Sequence, residues 1–96
     1  MVTFVDNNGV LICYFKGQMN TSVCSDLEME LLDHISNYTG KILFDLSDVS
    51  YIASSFLRLC ITTVKRVSSD RFNIVNANSD VYEIFEVSGL DDLINN

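Results

Sequence analysis

The chain has 96 residues, of which 6 are Lys or Arg and 13 are Asp or Glu, so its formal net charge at pH 7 is −7. This length supports one small domain with a single core, and we expect residues 1–96 to form that domain. Hydrophobic residues make up 48% of the chain and charged residues 20%, which excludes intrinsic disorder. Because nucleic acids and anionic membranes are bound mainly through Lys and Arg, the acidic excess argues against both partners.

Targeting signals and cysteine usage indicate the compartment. No segment approaches the roughly 20 apolar residues that span a membrane, and the N-terminus lacks a basic stretch followed by an apolar one. The three cysteines, Cys13, Cys24 and Cys60, are widely spaced and form no C-x-x-C motif. We therefore expect neither a disulfide framework nor a structural zinc site, and a reducing cytoplasm as the location.

The N-terminal residues predict a β-hairpin. Residues 3–5 and 10–15 are two β-rich runs, and Asn7-Asn8-Gly9 lies between them. Asn-Gly between apolar runs is a strong hairpin signal. We expect Gly17 to end the second strand.

A helix is predicted after the hairpin. Ser25 and Glu28 have the spacing of a capping box, which predicts a helix start. Asp26 and Glu30 would then lie early in the helix, where its dipole favours negative charge. Gly40 is the expected stop. The apolar stripe of this helix comprises Leu27, Leu31, Leu32, Ile35 and Tyr38.

The middle of the chain predicts a buried strand and a second helix. Residues 42–46 are nearly all apolar, as in a strand covered on both faces. A helix is expected from about residue 55 to residue 67. Its predicted core stripe comprises Leu57, Cys60, Ile61, Val64 and Val67. Phe56 and Leu59 lie outside this stripe, and two interpretations stay open. Either both side chains form an exposed apolar patch for a partner, or Phe56 packs under the preceding loop.

The last third of the chain predicts one more strand and one more helix. The strand covers residues 72–76, and the helix covers residues 80–87, with Ser79 or Asp80 as its cap and Gly89 at its end. The complete order is a β-hairpin followed by α-β-α-β-α. Alternation of strands and helices implies parallel pairing after the opening hairpin, and therefore a small α/β domain with a mixed sheet.

Enzyme signatures are few. The only histidine, His34, has no partner motif, and we expect it to face solvent as an ordinary surface residue. Asp45 and Asp48 flank Ser47, where isolated carboxylates usually cap turns or face water. Neither phosphate-binding glycine motif is present. We therefore predict no catalytic activity, no metal site and no cofactor.

Ser54 is the most informative residue because it directly precedes the second helix. A serine at that position can cap the helix through its side-chain oxygen, and physical reasoning alone favours this role. The same position also favours a phosphorylated serine, because the helix dipole and the free N–H groups accept negative charge.

Four segments together resemble the STAS domain family, in particular its stand-alone anti-sigma factor antagonists. Gly17-Gln18-Met19-Asn20 resembles the G-E-L-D-like turn before the first helix, and residues 42–52 resemble the central strand and its loop. Ala53-Ser54-Ser55-Phe56-Leu57 resembles the D-S-S-G-L phosphorylation motif. Phe85-Glu86-Val87-Ser88-Gly89-Leu90 resembles the closing F-x-x-S/T-G-L.

The resemblance implies a non-catalytic protein-interaction module that regulates transcription. It would bind an anti-sigma factor, often a GHKL-type serine kinase that phosphorylates Ser54, with Ser55 as the less favoured neighbour, and a PP2C-type phosphatase would reverse the modification. The partner-binding residues expected from it are Asn20, Ala53, Ser54, Ser55, Phe56 and Leu59.

Three family acids are replaced here by Gln18, Asn20 and Ala53. Two alternatives therefore stay open, namely a constitutive STAS adaptor that is not phosphorylated and a STAS domain that binds a small ligand or nucleotide.

Overall fold

The computed structural model describes residues 1–95, and it opens with the predicted hairpin. Strand β1 (Val2–Asn7) pairs antiparallel with strand β2 (Val10–Met19). Asn8 and Gly9 connect them with φ angles of 52° and 86°, as a two-residue type I′ turn requires. The expected strand end at Gly17 is wrong, because Gly17 has a φ of 92° and lies where the pairing register shifts, and β2 continues beyond it.

The sheet is mixed, with strand order β1-β2-β3-β4. Strand β3 (Lys41–Ile52) lies parallel to β2, and strand β4 (Phe72–Val75) lies parallel to β3. Helix α1 (Thr21–Ser36) connects β2 to β3, and helix α2 (Ser54–Val67) connects β3 to β4. Because such crossovers are right-handed, both helices lie on one face of the sheet. The predicted α/β class and element order are confirmed.

Strand β3 is longer than predicted. The expected strand covered residues 42–46, whereas β3 continues to Ile52 through the polar residues Ser47, Asp48 and Ser50. These side chains are exposed, which made the segment resemble a loop. The extension pairs with β2 up to Met19, so the two parallel strands end side by side.

Two predicted helix caps are wrong. Helix α1 begins at Thr21, and the Asn20 side chain accepts a hydrogen bond from the Val23 N–H at 2.9 Å. Ser25 and Glu28 therefore lie inside the helix rather than at its start, and no acidic residue occupies the first turn. Helix α3 (Ser79–Val87) is capped by Asn78 rather than by Ser79 or Asp80.

The C-terminal end of α3 agrees with the prediction. Gly89 has a φ of 74°, and the N–H of Leu90 donates back to the carbonyl of Phe85 at 2.8 Å. This is the hydrogen-bond pattern that a glycine in the left-handed region allows at a helix end.

Helix α2 presents a different face to the core than the one predicted. Its buried residues are Phe56, Leu59, Cys60, Thr63 and Val67. Leu57 and Val64 are only half-buried, and Ile61 is exposed. Thr63 is accommodated in the core because its hydroxyl donates to the carbonyl of Leu59 at 2.8 Å. The predicted stripe is therefore wrong at Ile61, while Leu57 and Val64 pack against the edge of the core.

Candidate functional site

The starts of the first two helices meet at one edge of the sheet. Met19 at the end of β2 pairs with Ile52 at the end of β3, and the N–H of Ala53 donates to the carbonyl of Met19 at 2.9 Å. Helices α1 and α2 begin directly after these strand ends. In α/β proteins, the carboxyl ends of parallel strands are a common position for functional sites. We call Asn20, Thr21, Ala53, Ser54 and Ser55 the helix-start surface.

Ser54 is the exposed first residue of α2 and not its cap. Ala53 occupies the cap position, with φ −96° and ψ 170°, and makes no side-chain capping bond. The interpretation of Ser54 as a cap is therefore wrong. Within residues 1–95, no protein group forms a hydrogen bond with the Ser54 side chain. The first backbone N–H groups of a helix lack intrahelical acceptors. A hydrogen-bond acceptor attached to the Ser54 oxygen would therefore lie beside backbone N–H groups that can donate to it.

The neighbouring polar residues are held in place by short-range contacts. Ser55 is half-buried, and its hydroxyl lies 3.5 Å from the hydroxyl oxygen of Thr21, at the outer limit of hydrogen-bond distance, so the two helix starts lie side by side. The Asn20 side chain is half-buried and used in capping α1. The structure therefore brings four of the expected site residues, Asn20, Ala53, Ser54 and Ser55, to the same edge of the sheet.

Phe56 and Leu59 do not belong to that exposed surface. Their exposed fractions are 0% and 4%, so the expected apolar patch at these two positions is wrong. The Phe56 ring packs edge-on against Phe15, with 5.1 Å between ring centroids, and lies 6.3 Å from Phe44. The residue after the serine pair therefore projects into the core, and its ring does not stand beside the Ser54 hydroxyl.

A small groove of about 190 Å³ adjoins the helix-start surface. Thr21, Cys24, Ser55 and Arg58 contribute to its lining. Arg58 is exposed and lies one helical turn after Ser54. The thiol of Cys24 is buried, donates to the carbonyl of Met19 at 3.7 Å, and has a raised pKa because of that burial. Cys24 is thus a packed thiol, while Arg58 is the cation on this side of the site.

Sequence reasoning did not single out Thr21 as part of the site. The available signal was the predicted parallel pairing of the second and third strands. Once these strands are parallel, the residues that follow them start neighbouring helices at the same edge of the sheet. This arrangement places Thr21 beside Ser55, although no sequence motif marks Thr21.

Other candidate chemistry does not assemble into a second site. His34 is exposed as expected, and its ring stacks on Phe4 with 3.7 Å between centroids. The Asp45 carboxylate is buried and accepts from the Ser47 N–H and the Asn76 amide. Across residues 1–95, no three His, Cys, Asp or Glu residues are grouped as a metal ion would require. Over the same range, no helix has the length and apolar content needed to cross a membrane.

A model of the STAS domain family matches residues 2–96. The chain belongs to the STAS domain family. BtrV of Bordetella bronchiseptica, named as an anti-sigma factor antagonist, is 29% identical over 84 residues, which cover 85% of this chain and 72% of BtrV. RsfB of Mycobacterium tuberculosis, named as an anti-sigma-F factor antagonist, is 25% identical over 91 residues, covering 94% of this chain and 75% of RsfB.

Solved structures agree with the family assignment at the level of the fold. The anti-sigma factor antagonist SpoIIAA in its unphosphorylated form is 13% identical and superposes with a TM-score of 0.82, covering 99% of this STAS domain and 86% of the SpoIIAA chain. The phosphorylated form of SpoIIAA from Bacillus is 14% identical, with a TM-score of 0.75 over 99% of this domain and 89% of that chain.

Proposed function

We propose that this STAS domain acts as an anti-sigma factor antagonist, that it binds an anti-sigma factor through the helix-start surface, and that phosphorylation of Ser54 breaks the complex. Its similarity to BtrV and RsfB, which bear the name of that function, supports the binding role. The domain itself performs no chemistry in this proposal. It supplies a binding surface and one hydroxyl group.

The observation that carries the proposal is the position of Ser54. Its side chain is exposed, lies at the first residue of α2 and follows Ala53, which offers no capping side chain. A phosphate placed there would gain from the helix dipole and the free N–H groups, so the modified domain would stay folded. The same phosphate would add a charge of about −2 to the surface that the partner contacts.

The partners follow from the same proposal. The anti-sigma factor would be a GHKL-type serine kinase that transfers a phosphoryl group from ATP to the Ser54 oxygen and releases ADP. A PP2C-type phosphatase would hydrolyse the phosphoserine and restore binding. Both reactions would take place in the cytoplasm, and the released sigma factor would change transcription.

A second candidate is a constitutive adaptor whose binding does not depend on Ser54. Neutral Asn20 and Ala53 favour it, because the resemblance predicts acidic side chains at these two positions of the helix-start surface. The Asn20 side chain is also engaged in capping α1, which gives it a structural role independent of any partner.

Affinity capture from the lysate of the native host separates these candidates. The baits are the wild type, Ser54→Ala, Ser54→Asp and the control Ser79→Asp, because Ser79 is also the exposed first residue of a helix. We expect the wild type, Ser54→Ala and Ser79→Asp to retain an anti-sigma factor that Ser54→Asp loses. Retention of the same anti-sigma factor by all four baits would establish the adaptor. If the wild-type bait retains no anti-sigma factor, the proposed function is refuted.

A further inference from the structure

A second, larger groove runs along the outer face of α1. It has a volume of about 420 Å³, and Glu28, Met29, Leu32 and Asp33 from α1 contribute to its lining, with Arg66 of α2 at one end. The Arg66 guanidinium donates to the hydroxyl of Ser36 at 3.0 Å, which fixes the end of the groove. We call this the α1 groove.

Met29 gives the α1 groove an exposed apolar centre. Its side chain is 83% exposed, although the core contains methionine and leucine side chains that are fully buried. Leu32, one turn further along, is half-buried and continues the apolar surface. Methionine adapts its shape to different partners and is frequent on protein-binding surfaces. The groove therefore offers an apolar contact that the domain itself does not use.

The charges around Met29 determine which partner fits. Glu28 and Asp33 line the α1 groove together with Met29, and Asp26 and Glu30 are also exposed on α1 within one turn of Met29. Helix α1 contains no Lys or Arg. Arg66 is the one cation that lines the groove. An acidic partner would be repelled there, whereas Lys and Arg side chains would be attracted.

The α1 groove is continuous with the helix-start surface. Ser25 and Glu28 line both this groove and the smaller groove beside Ser55 and Arg58. A protein that covers Ser54 therefore needs only to extend along α1 to reach Met29. A specific interface of ordinary size involves about 20–30 residues on each partner, which is more than the five residues of the helix-start surface.

We infer that the α1 groove is a second docking surface for the partner that binds at Ser54, and that it receives a basic segment of that partner. An apolar side chain of the segment packs on Met29 and Leu32, while its Lys or Arg side chains pair with Glu28 and Asp33. The identity of the partner as an anti-sigma factor rests on the proposed function, and the chemistry of the segment rests on the groove.

Calorimetric titration with the purified anti-sigma factor retained by the wild-type bait tests the inference. The variants are Met29→Ser and the double substitution Glu28→Gln with Asp33→Asn. The matched controls are on α3, where Val87 is 82% exposed and Glu83 and Glu86 are exposed. They are Val87→Ser and the double substitution Glu83→Gln with Glu86→Gln.

We expect each α1 variant to weaken binding about tenfold, as for other residues at the centre of an interface. The α3 controls should stay within about twofold of the wild type, because rim and non-interface positions contribute little. The dissociation constant of the wild type should also rise more steeply with salt than that of the Glu28→Gln, Asp33→Asn variant. Equal affinities for the wild type and both α1 variants would overturn the inference.

A synthetic probe keeps this test separate from the proposed function. The probe is a 16-residue amphipathic helical peptide with lysines on one face and leucines on the other. Added to the isotope-labelled domain, it should shift the amide resonances of α1 and Arg66, and neutralising Glu28 and Asp33 should abolish these shifts. If the wild-type bait retains no anti-sigma factor, the proposed function fails and this titration alone decides the inference. Shifts that are absent, or spread over all acidic surfaces, would overturn it.

Discussion

Replacing Phe56 with alanine tests which face of α2 packs on the sheet. The Phe56 side chain has an exposed fraction of 0% and packs against Phe15 and Phe44. Truncating a fully buried phenylalanine typically costs about 3–5 kcal/mol of the free energy of unfolding, because apolar burial is lost and a cavity remains. A 96-residue domain has a total free energy of unfolding of about 5–14 kcal/mol. Phe56→Ala should therefore remove a large share of the stability.

Ile61→Ala is the control that makes this comparison decisive. The amino-acid pattern predicted Ile61 in the core stripe and Phe56 outside it, whereas the structure leaves the Ile61 side chain 37% exposed. We expect Ile61→Ala to cost less than about 1 kcal/mol, since part of the side chain stays in water in the folded state. Urea unfolding followed by circular dichroism gives both free energies. A larger loss for Ile61→Ala than for Phe56→Ala would refute the packing of α2 described above.

Four further predictions concern the stability of the domain and the chemistry of the Cys13 thiol. Gly40→Ala should lower the free energy of unfolding by about 1–3 kcal/mol in urea titrations, because the new methyl group overlaps the Gly9 carbonyl; an unchanged midpoint would contradict this. Asn78→Ala should cost about 1 kcal/mol in the same assay, since Asn78 caps α3. Burial raises the pKa of Cys13 from 9.0 to about 12, so its thiol should stay unreactive towards a disulfide reagent at pH 8 until the protein unfolds. The Cys13 thiol ionises at a lower pH in the unfolded chain than in the folded domain. Its contribution to the free energy of unfolding should therefore be complete below pH 9 and be lost between about pH 9 and 12, which urea titrations at several pH values would show.

The order of the elements could be predicted because it rests on local signals. Asn8 and Gly9 form the hairpin turn because both adopt positive φ angles. A positive φ angle at Gly89 likewise ends α3. Alternation of strands and helices then implied parallel pairing, which the sheet confirms. These features depend on residues close together in the chain, so periodicity and turn chemistry were sufficient.

The misplaced features depend on contacts between distant parts of the chain. Two sets of α2 residues have the spacing of a buried helix face. Which set is buried depends on the sheet, where Phe15 and Phe44 pack against Phe56. Ser25 was predicted to cap α1 from its capping-box spacing with Glu28. Pairing of β2 as far as Met19 determines that Asn20 holds that position.

The candidate site was predicted in part. The position of Ser54 near the start of the second helix and its resemblance to a phosphorylation motif were visible in the chain. That Ser54 does not cap α2 could not be predicted. It follows from the length of β3, which continues to Ile52 and so places Ala53 at the cap position. The contact between Ser55 and Thr21 joins residues 34 positions apart, and no local pattern reports it.

The most direct test of the proposed switch compares the unmodified domain with two chemically defined phosphorylated forms. Phosphoserine is incorporated at position 54, or at position 79 as the matched control, and each form is titrated with the anti-sigma factor retained by the wild-type bait. We expect phosphate at Ser54 to weaken binding by at least about 100-fold, comparable to the loss of an interface hot spot, while phosphate at Ser79 leaves the affinity unchanged. Equal affinities of the unmodified and Ser54-phosphorylated domains would contradict it.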